Sequence, residues 1–158
     1  MAKDIKNVFI SHYGIDEEHI SKLKELLAKK NYVLRNSSID STKPNDAKNE
    51  DYIKYELLKP GIEWAGTTIV LIGPETHTRW WVNWEIEQSH EQGNRIIGVY
   101  IPGATDAKLP EAFEKYGEPP VGWLSDKIID AIEGKLDHGE NPDGTPWKSP
   151  YAADRSNC

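Results

Sequence analysis

The sequence predicts an α/β fold of the flavodoxin type, with a central parallel sheet of four to five strands between two layers of helices. Short, nearly continuous apolar runs recur along the chain, and amphipathic helical segments separate them. This alternation is typical of parallel strands joined by crossover helices. With the first strand near the middle of the sheet, the expected strand order is 2-1-3-4-5, which places the switch point between the first and third strands.

The length and composition predict one folded domain. A chain of 158 residues can bury a substantial core but is too short for two ordinary domains. We assign the domain to residues 1–134. Residues 135–158 are rich in Gly, Pro, Asp and Asn, and we expect them to form a polar C-terminal extension.

Charge and patterning argue against several kinds of partner. With 19 basic and 26 acidic residues, the chain lacks the surplus of Lys and Arg that binds nucleic-acid phosphates. No apolar run approaches the length of a membrane span, and the N-terminal residues lack a secretory signal pattern. We therefore expect a cytoplasmic protein without nucleic-acid or membrane partners. The single cysteine, Cys158, cannot form an intrachain disulfide, and no spacing of acidic residues indicates a metal site.

The first predicted strand covers residues 7–10, a β-branched and aromatic run of the kind that is buried on both faces of a sheet. It ends at Ser11. A helix follows, for which Asp16 is a suitable N-cap and Leu23 and Leu27 belong to the apolar stripe.

The next segment contains the longest irregular stretch. Residues 32–34 form the second predicted strand, and the polar residues 35–49 have neither helical nor strand period. We predict a long surface loop there, and such loops are often functional. Residues 50–58 carry apolar side chains at helical spacing, and Pro60 with Gly61 is expected to end that helix.

Residues 67–93 form the segment around which the chain is organised. They contain a third predicted strand at residues 68–72, a turn at Gly73-Pro74, and a helix from about residue 78 to residue 92. Gly93 is expected to stop the helix.

Within this helix, the four-residue spacing of Trp81, Glu85 and Ser89 places the three side chains on one face. A carboxylate on the helix that follows a strand's carboxyl end lies where open α/β sheets bind their ligands. Glu85 is therefore the first candidate catalytic residue. The alternatives are that Glu85 is a solvated helix residue and that Trp81 only packs in the core.

The last third of the chain completes the pattern. Residues 95–101 are an apolar run that predicts the fourth strand, and residues 111–115 predict one helical turn. Ser125 is expected to cap a final helix that Gly134 stops.

In the expected strand order, polar groups from separate segments meet at the switch point. The first strand ends there, the third strand ends beside it, and the following helix begins above both. The residues brought together are Ser11, His12, Tyr13, Gly73, Pro74 and Glu85.

Three segments of the sequence carry a resemblance to a known family. They are N-V-F-I-S-H at residues 7–12, T-I-V-L-I-G at residues 68–73, and W-V-N-W-E-I at residues 81–86 followed by G-N-R-I-I-G-V at residues 93–99. These segments resemble Toll/interleukin-1 receptor (TIR) domains, and more closely the bacterial TIR-like proteins of Thoeris anti-phage systems. The resemblance covers roughly residues 7–101.

The resemblance implies an enzyme that cleaves the nicotinamide–ribose bond of NAD with Glu85 as catalytic residue. NAD would be the substrate, and no cofactor is expected. The product would be an ADP-ribose-derived signal that activates a separate effector protein, after a phage-derived trigger and with self-association of the chain. The substrate-binding residues we predict are Phe9, Ser11, His12, Tyr13, Gly73, Trp81 and Trp84.

One carboxylate is chemically sufficient for this cleavage. Ordinary glycosidases need a second carboxyl group to protonate the leaving group, whereas nicotinamide leaves a cationic glycoside as a neutral molecule. A preorganised carboxylate can stabilise the oxocarbenium charge that develops on the ribose. The acceptor decides the product: water gives ADP-ribose, an adenine nitrogen gives a cyclic isomer, and an amine or imidazole gives a conjugate.

Other functions remain open at the level of sequence. A non-catalytic TIR-type scaffold would act by homotypic association, and a nucleoside deoxyribosyltransferase-like enzyme would use the glutamate as a covalent nucleophile. A phospho-receiver domain is disfavoured because Ile10, Ser11 and His12 stand where its acidic cluster is expected. The absence of G-x-G-x-x-G disfavours a redox dinucleotide bound in Rossmann fashion.

Overall fold

The computed structural model describes residues 4–13, 18–37, 59–104, 107–136, 139–142 and 145–146. Its strands are β1 (Asp4–Ser11), β2 (Tyr32–Asn36), β3 (Thr67–Ile72) and β4 (Arg95–Tyr100). Its α-helices are α1 (Glu18–Ala28), α2 (Lys59–Trp64), α3 (Trp80–Glu91), α4 (Glu111–Tyr116) and α5 (Ser125–Glu133).

The four strands form one parallel sheet in the order β2-β1-β3-β4. This confirms the predicted α/β class and the predicted order of the first four strands. Where the expected order has a fifth strand, the described residues contain a single parallel bridge between Val121 and Val99.

The segment before that bridge pairs with the outer edge of β4. Glu118 N donates to Ile96 O at 2.8 Å, and Val121 N donates to Gly98 O at 2.9 Å. Tyr100 N in turn donates to Val121 O at 2.9 Å. The edge of β4 is therefore hydrogen-bonded along its length, although the partner segment is too irregular to count as a strand.

Alternating residues of the strands divide the core into two layers. Val8 and Ile10 of β1 belong to a cluster with residues of α1 and α5, including Leu23, Leu27 and Ile128. Phe9 faces the opposite way and packs with Ile62 and Ala65, beside α2. Because side chains alternate along a strand, Ser11 lies on the same side of the sheet as Phe9, the side that α3 covers.

Helix α3 packs on that second face through Val82 and Ile86, which share a buried cluster with Val70 and Ile72 of β3. The packing follows the sequence pattern, because Val82 and Ile86 are four residues apart and lie on one side of the helix. α3 begins at Trp80, two residues later than predicted, because Thr76–Thr78 form a 3-10 turn before it.

Several predicted ends are confirmed and others are corrected. Gly93, two residues after the end of α3, and Gly134, the residue after α5, adopt positive φ angles of 79° and 75°, as expected of helix stops. Ser125 is the first residue of α5, and no side chain caps that helix. Pro60 and Gly61, which we expect to end a helix over residues 50–58, themselves lie in α2.

The predicted loop at residues 35–49 begins later than expected. Arg35 and Asn36 continue β2, paired with Asn7 and Val8 of β1. Residues 38–58, with most of the loop and the predicted helix at 50–58, lie outside the described residues, as does Asp16.

Part of the predicted C-terminal extension packs on the domain. Glu140 N donates to Pro120 O at 2.7 Å, and the Glu140 carboxylate accepts from Gly122 N at 3.2 Å. Gly139 is buried at the same place. The division of the chain at residue 134 stays a prediction.

Candidate functional site

The centre of the candidate site is the Glu85 carboxyl group, at the carboxyl edge of the sheet between β1 and α3. Its side chain is buried, with the residue 5% exposed. Ser11 Oγ, at the end of β1, donates to Glu85 Oε1 at 2.6 Å. The structure therefore brings together two residues that are 74 positions apart, at the predicted switch point. Glu85 is not a solvated helix residue.

Burial controls the protonation of Glu85. Loss of solvent raises its pKa from 4.5 to about 8, and the hydrogen bond from Ser11 lowers it in part. A carboxyl group in this setting is mostly neutral near pH 7. A cationic ligand placed beside it would favour the ionised form, so the site is suited to bind a positively charged group.

A buried chain of hydroxyl groups holds the backbone of Glu85 on the sheet. Ser89 Oγ donates to the Glu85 carbonyl oxygen at 2.7 Å. Since that donation uses its only proton, Ser89 accepts from Thr68 Oγ1 of β3, 2.6 Å away. Thr68 and Ser89 are fully buried, so this chain fixes the position of Glu85 relative to β3.

The turn of α3 that precedes Glu85 and the segment after β1 form one wall of the site. Trp81 Nε1 donates to His12 O at 3.2 Å, and the rings of Trp81 and Tyr13 lie 6.2 Å apart at 55°. His12 is buried, and its Nδ1 lies 3.0 Å from Ile10 O. Because a carbonyl only accepts, Nδ1 carries the proton.

Arg79 lies at the rim of this wall. Its guanidinium carbon is 3.8 Å from the centre of the Tyr13 ring and 5.9 Å from that of Trp81. Arg79 is not among the site residues predicted from the sequence. Its position could have indicated it, because Arg79 is the only Lys or Arg between residues 67 and 94 and lies immediately before the helix that carries Glu85.

The remaining predicted residues have other surroundings. Phe9 is buried with Ile62 and Ala65, and Trp84 packs against that cluster. Gly73 N donates to Thr76 Oγ1 at 2.8 Å, which closes the turn after β3. The structure thus groups Ser11, His12, Tyr13 and Trp81 with Glu85. A substrate-binding role for Phe9, Gly73 or Trp84 stays a prediction.

Trp84 also borders a separate surface groove of about 320 Å³ between α3 and α4. Glu85 is not among the residues that line it. The lining residues are Trp80, Asn83, Trp84, Glu87, Glu111, Ala112 and Lys115.

Two further features bear on function. Within the described ranges, no three His, Cys, Asp or Glu side chains are grouped as metal ligands. The helices of the same ranges include none with the length and apolar character needed to cross a membrane.

Comparison with known sequences identifies a matching family. The model of the family described as "Thoeris protein ThsB, TIR-like domain" matches residues 9–106. A Bacillus cereus (strain MSX-D12) protein named "Putative cyclic ADP-D-ribose synthase ThsB1" is 37% identical over 76 residues. That match covers 44% of this chain and 40% of the relative, so the chain spans less than half of the relative's length.

Among solved structures, one similar chain with a TM-score above 0.5 supports the fold. A conserved protein from Enterococcus faecalis V583 superposes with a TM-score of 0.53 at 13% identity, over 84% of this chain and 99% of that chain. The TIR domains of the activated Roq1 resistosome have a TM-score of 0.45 at 16% identity, over 97% of this chain and 94% of that chain.

Proposed function

The chain belongs to the family of Thoeris ThsB TIR-like domains, and from this premise we propose that it is an NAD-consuming enzyme. In the proposed reaction it cleaves the bond between nicotinamide and ribose and transfers the ADP-ribosyl group to an acceptor. The product is a signal nucleotide that activates a separate effector in anti-phage defence.

The observation that carries the proposal is the buried Glu85 carboxyl group with its hydrogen bond from Ser11. Because the carboxyl group is buried, its ionisation is unfavourable unless a cation is nearby. The same burial strengthens the attraction of the ionised carboxylate for a nearby cation. Nicotinamide in NAD is joined to ribose as a pyridinium cation. Binding of this group beside Glu85 therefore favours release of the Glu85 proton and prepares the carboxylate for catalysis.

Bond cleavage then moves the positive charge from the pyridinium ring to the ribose. The electron pair of the C1′–N bond goes to the ring nitrogen, and nicotinamide leaves as a neutral molecule. The Glu85 carboxylate stabilises the oxocarbenium charge on the ribose. When an acceptor bonds to C1′ and loses its proton, the carboxylate can take that proton, which restores the neutral acid.

The neighbouring contacts support this role. The hydrogen bonds from Thr68 to Ser89 and from Ser89 to the Glu85 carbonyl fix the backbone of Glu85. The carboxyl group is therefore held in position before the substrate binds. The aromatic wall of Trp81 and Tyr13 can stack on a planar base and exclude water. Exclusion of water favours transfer to an internal acceptor over hydrolysis.

We infer that the internal acceptor is an adenine nitrogen of the same NAD molecule, which gives a cyclic ADP-ribose isomer. The name of the Bacillus cereus relative refers to a cyclic ADP-D-ribose synthase, and this supports a cyclic product here. Self-association and a phage-derived trigger belong to the same proposal.

The test is mass spectrometry of small molecules from phage-infected cells that carry wild type, Glu85→Gln or Glu87→Gln. Glu87 is the matched control, because it is an exposed glutamate two residues further along α3. Infected cells that carry wild type or Glu87→Gln should lose NAD and accumulate nicotinamide with an ADP-ribose-derived nucleotide. In cells that carry Glu85→Gln, the rate of nicotinamide release should be lower by about 10²-fold or more.

Three outcomes would contradict the proposal. The first is a folded Glu85→Gln variant as active as wild type. The second is a glycosyl-enzyme trapped with a deoxynucleoside, which would indicate a nucleoside deoxyribosyltransferase-like enzyme. The third is defence against phage without any nicotinamide release, which would indicate a non-catalytic scaffold.

A further inference from the structure

We propose that Arg79 binds the diphosphate of the substrate at the mouth of the Glu85 site, and that Glu75 holds this position in the free protein. The inference rests on the proposed function, because it assigns a binding subsite to the same substrate. It adds a specificity-determining residue, and it predicts that the enzyme selects a dinucleotide over a nucleoside.

The position of Arg79 is the first argument. Its guanidinium carbon lies 3.8 Å from the centre of the Tyr13 ring and 5.9 Å from that of the Trp81 ring. Tyr13 follows Ser11 by two residues, and Trp81 precedes Glu85 by one helical turn. The positive charge is therefore held between the two elements that form the Glu85 site.

The hydrogen-bonding capacity of Arg79 is only partly used in the free protein. Its Nε is buried, and no hydrogen-bond partner for it occurs in the described part of the chain. Its Nη2 lies 3.5 Å from Glu75 Oε2, which is longer than a good charge-assisted hydrogen bond. Nε and Nη2 form one edge of the guanidinium, and such an edge matches two oxygens of a phosphate.

A second orphaned nitrogen lies in the same loop. His77 Nδ1 and Arg79 Nε are the two buried side-chain polar atoms without a partner that occur in the described ranges. Buried polar groups are normally paired, so an unpaired one needs an explanation. Two of them within three residues, after the carboxyl end of β3, indicate that this loop is completed by a ligand.

The contact with Glu75 is weak enough to be exchanged. The side chain of Glu75 is 63% exposed and that of Arg79 is 30% exposed, and ion pairs of this kind contribute little. A bidentate contact between arginine and phosphate is shorter and stronger. Substrate phosphate is therefore expected to displace the Glu75 carboxylate, which can turn into solvent.

The two charged ends of the site also match the two parts of NAD. The acidic Glu85 lies inward and suits the cationic nicotinamide riboside, whereas the basic Arg79 lies at the rim and suits the anionic diphosphate. This arrangement orients the molecule with its nicotinamide end inward. Nicotinamide riboside lacks the diphosphate and loses the contact with Arg79.

The experiment measures binding of ADP-ribose, NAD and nicotinamide riboside by calorimetry to wild type, Arg79→Met and Glu75→Gln. Binding needs no turnover, so an untriggered enzyme can be tested. Arg79→Met should bind ADP-ribose and NAD about 10- to 100-fold more weakly than wild type, as expected for loss of a hydrogen-bonded charge pair. Nicotinamide riboside should bind equally well to wild type and to Arg79→Met. Glu75→Gln should bind ADP-ribose about two- to five-fold more tightly than wild type, because the competing carboxylate is gone.

The outcomes separate this inference from the proposed function. If wild type binds neither ADP-ribose nor NAD and releases no nicotinamide in infected cells, the proposed function fails. If wild type binds ADP-ribose and a folded Arg79→Met binds it equally well, only the role of Arg79 fails. Should Arg79→Met not fold, Glu75→Gln decides, because unchanged or weaker binding of ADP-ribose in that variant shows the ion pair to be structural.

Discussion

Replacement of Glu85 by glutamine should make the protein more stable, and increasingly so as the pH rises. Burial raises the pKa of Glu85 from 4.5 to about 8, so the folded state binds this proton more tightly than the unfolded state does. The contribution of neutral Glu85 to the free energy of unfolding is fully present below about pH 4.5. It decreases between about pH 4.5 and pH 8 and is lost above about pH 8. Glutamine is neutral at every pH and can still accept from Ser11.

The size of the effect follows from the pKa difference at about 1.4 kcal/mol per pH unit. Glu85→Gln should raise the free energy of unfolding by about 1 kcal/mol at pH 5 and by about 4 kcal/mol at pH 8. Urea denaturation at the two pH values measures this difference directly. Glu87→Gln on the exposed side of α3 should change stability by less than about 0.5 kcal/mol at both.

The pH dependence is the decisive part of this measurement. A gain that is equal at pH 5 and pH 8 would show that glutamine packs better, not that the carboxyl group is strained by burial. A loss of stability at pH 8 would refute the reasoning altogether. A retained cost of this size is expected where a residue serves activity at the expense of stability.

Two further predictions concern the hydroxyl partner of the carboxyl group and the packing beneath α4. Wild-type kcat/KM for NAD should rise with pH to about 8 and then level, because it follows ionisation of free Glu85. In Ser11→Ala, which removes the hydrogen bond that lowers this pKa, the rise should move to higher pH; an unmoved profile would refute the assignment. Gly98→Ala should lower the free energy of unfolding by about 1–3 kcal/mol, since its Cβ would meet Phe113 Cζ at 2.5 Å. Gly66→Ala, with no heavy atom within 4 Å of its Cβ, should change it by less than about 0.5 kcal/mol, and equal effects in urea denaturation would contradict the packing argument.

Features with local causes could be predicted from the sequence. Neighbouring residues determine the apolar run of β1, the spacing of α3, and the stops at Gly93 and Gly134. The structure confirms each of these features. The proximity of Ser11 and Glu85 followed from the same elements, because parallel strands bring their carboxyl ends to one edge of the sheet.

Features that depend on distant partners could not be predicted. Helical spacing gave the face on which Glu85 lies but not its depth, which depends on how α3 covers the end of β1. Asn36 looked like a loop residue, yet its side-chain oxygen accepts from Ile10 N at 3.1 Å and it continues β2. The contact of Arg79 with Tyr13 joins residues that are far apart in the chain, so no local pattern reveals it.

The segment that lines the outer edge of β4 limits how copies of this chain can assemble. Free edge strands are the usual templates for intermolecular β-pairing. Here the backbone groups of Ile96, Gly98 and Tyr100 are already bonded to residues 118–121. Polymerisation by sheet extension at this edge would first require that intramolecular strip to detach, so an oligomer that keeps the fold intact must be built through other surfaces.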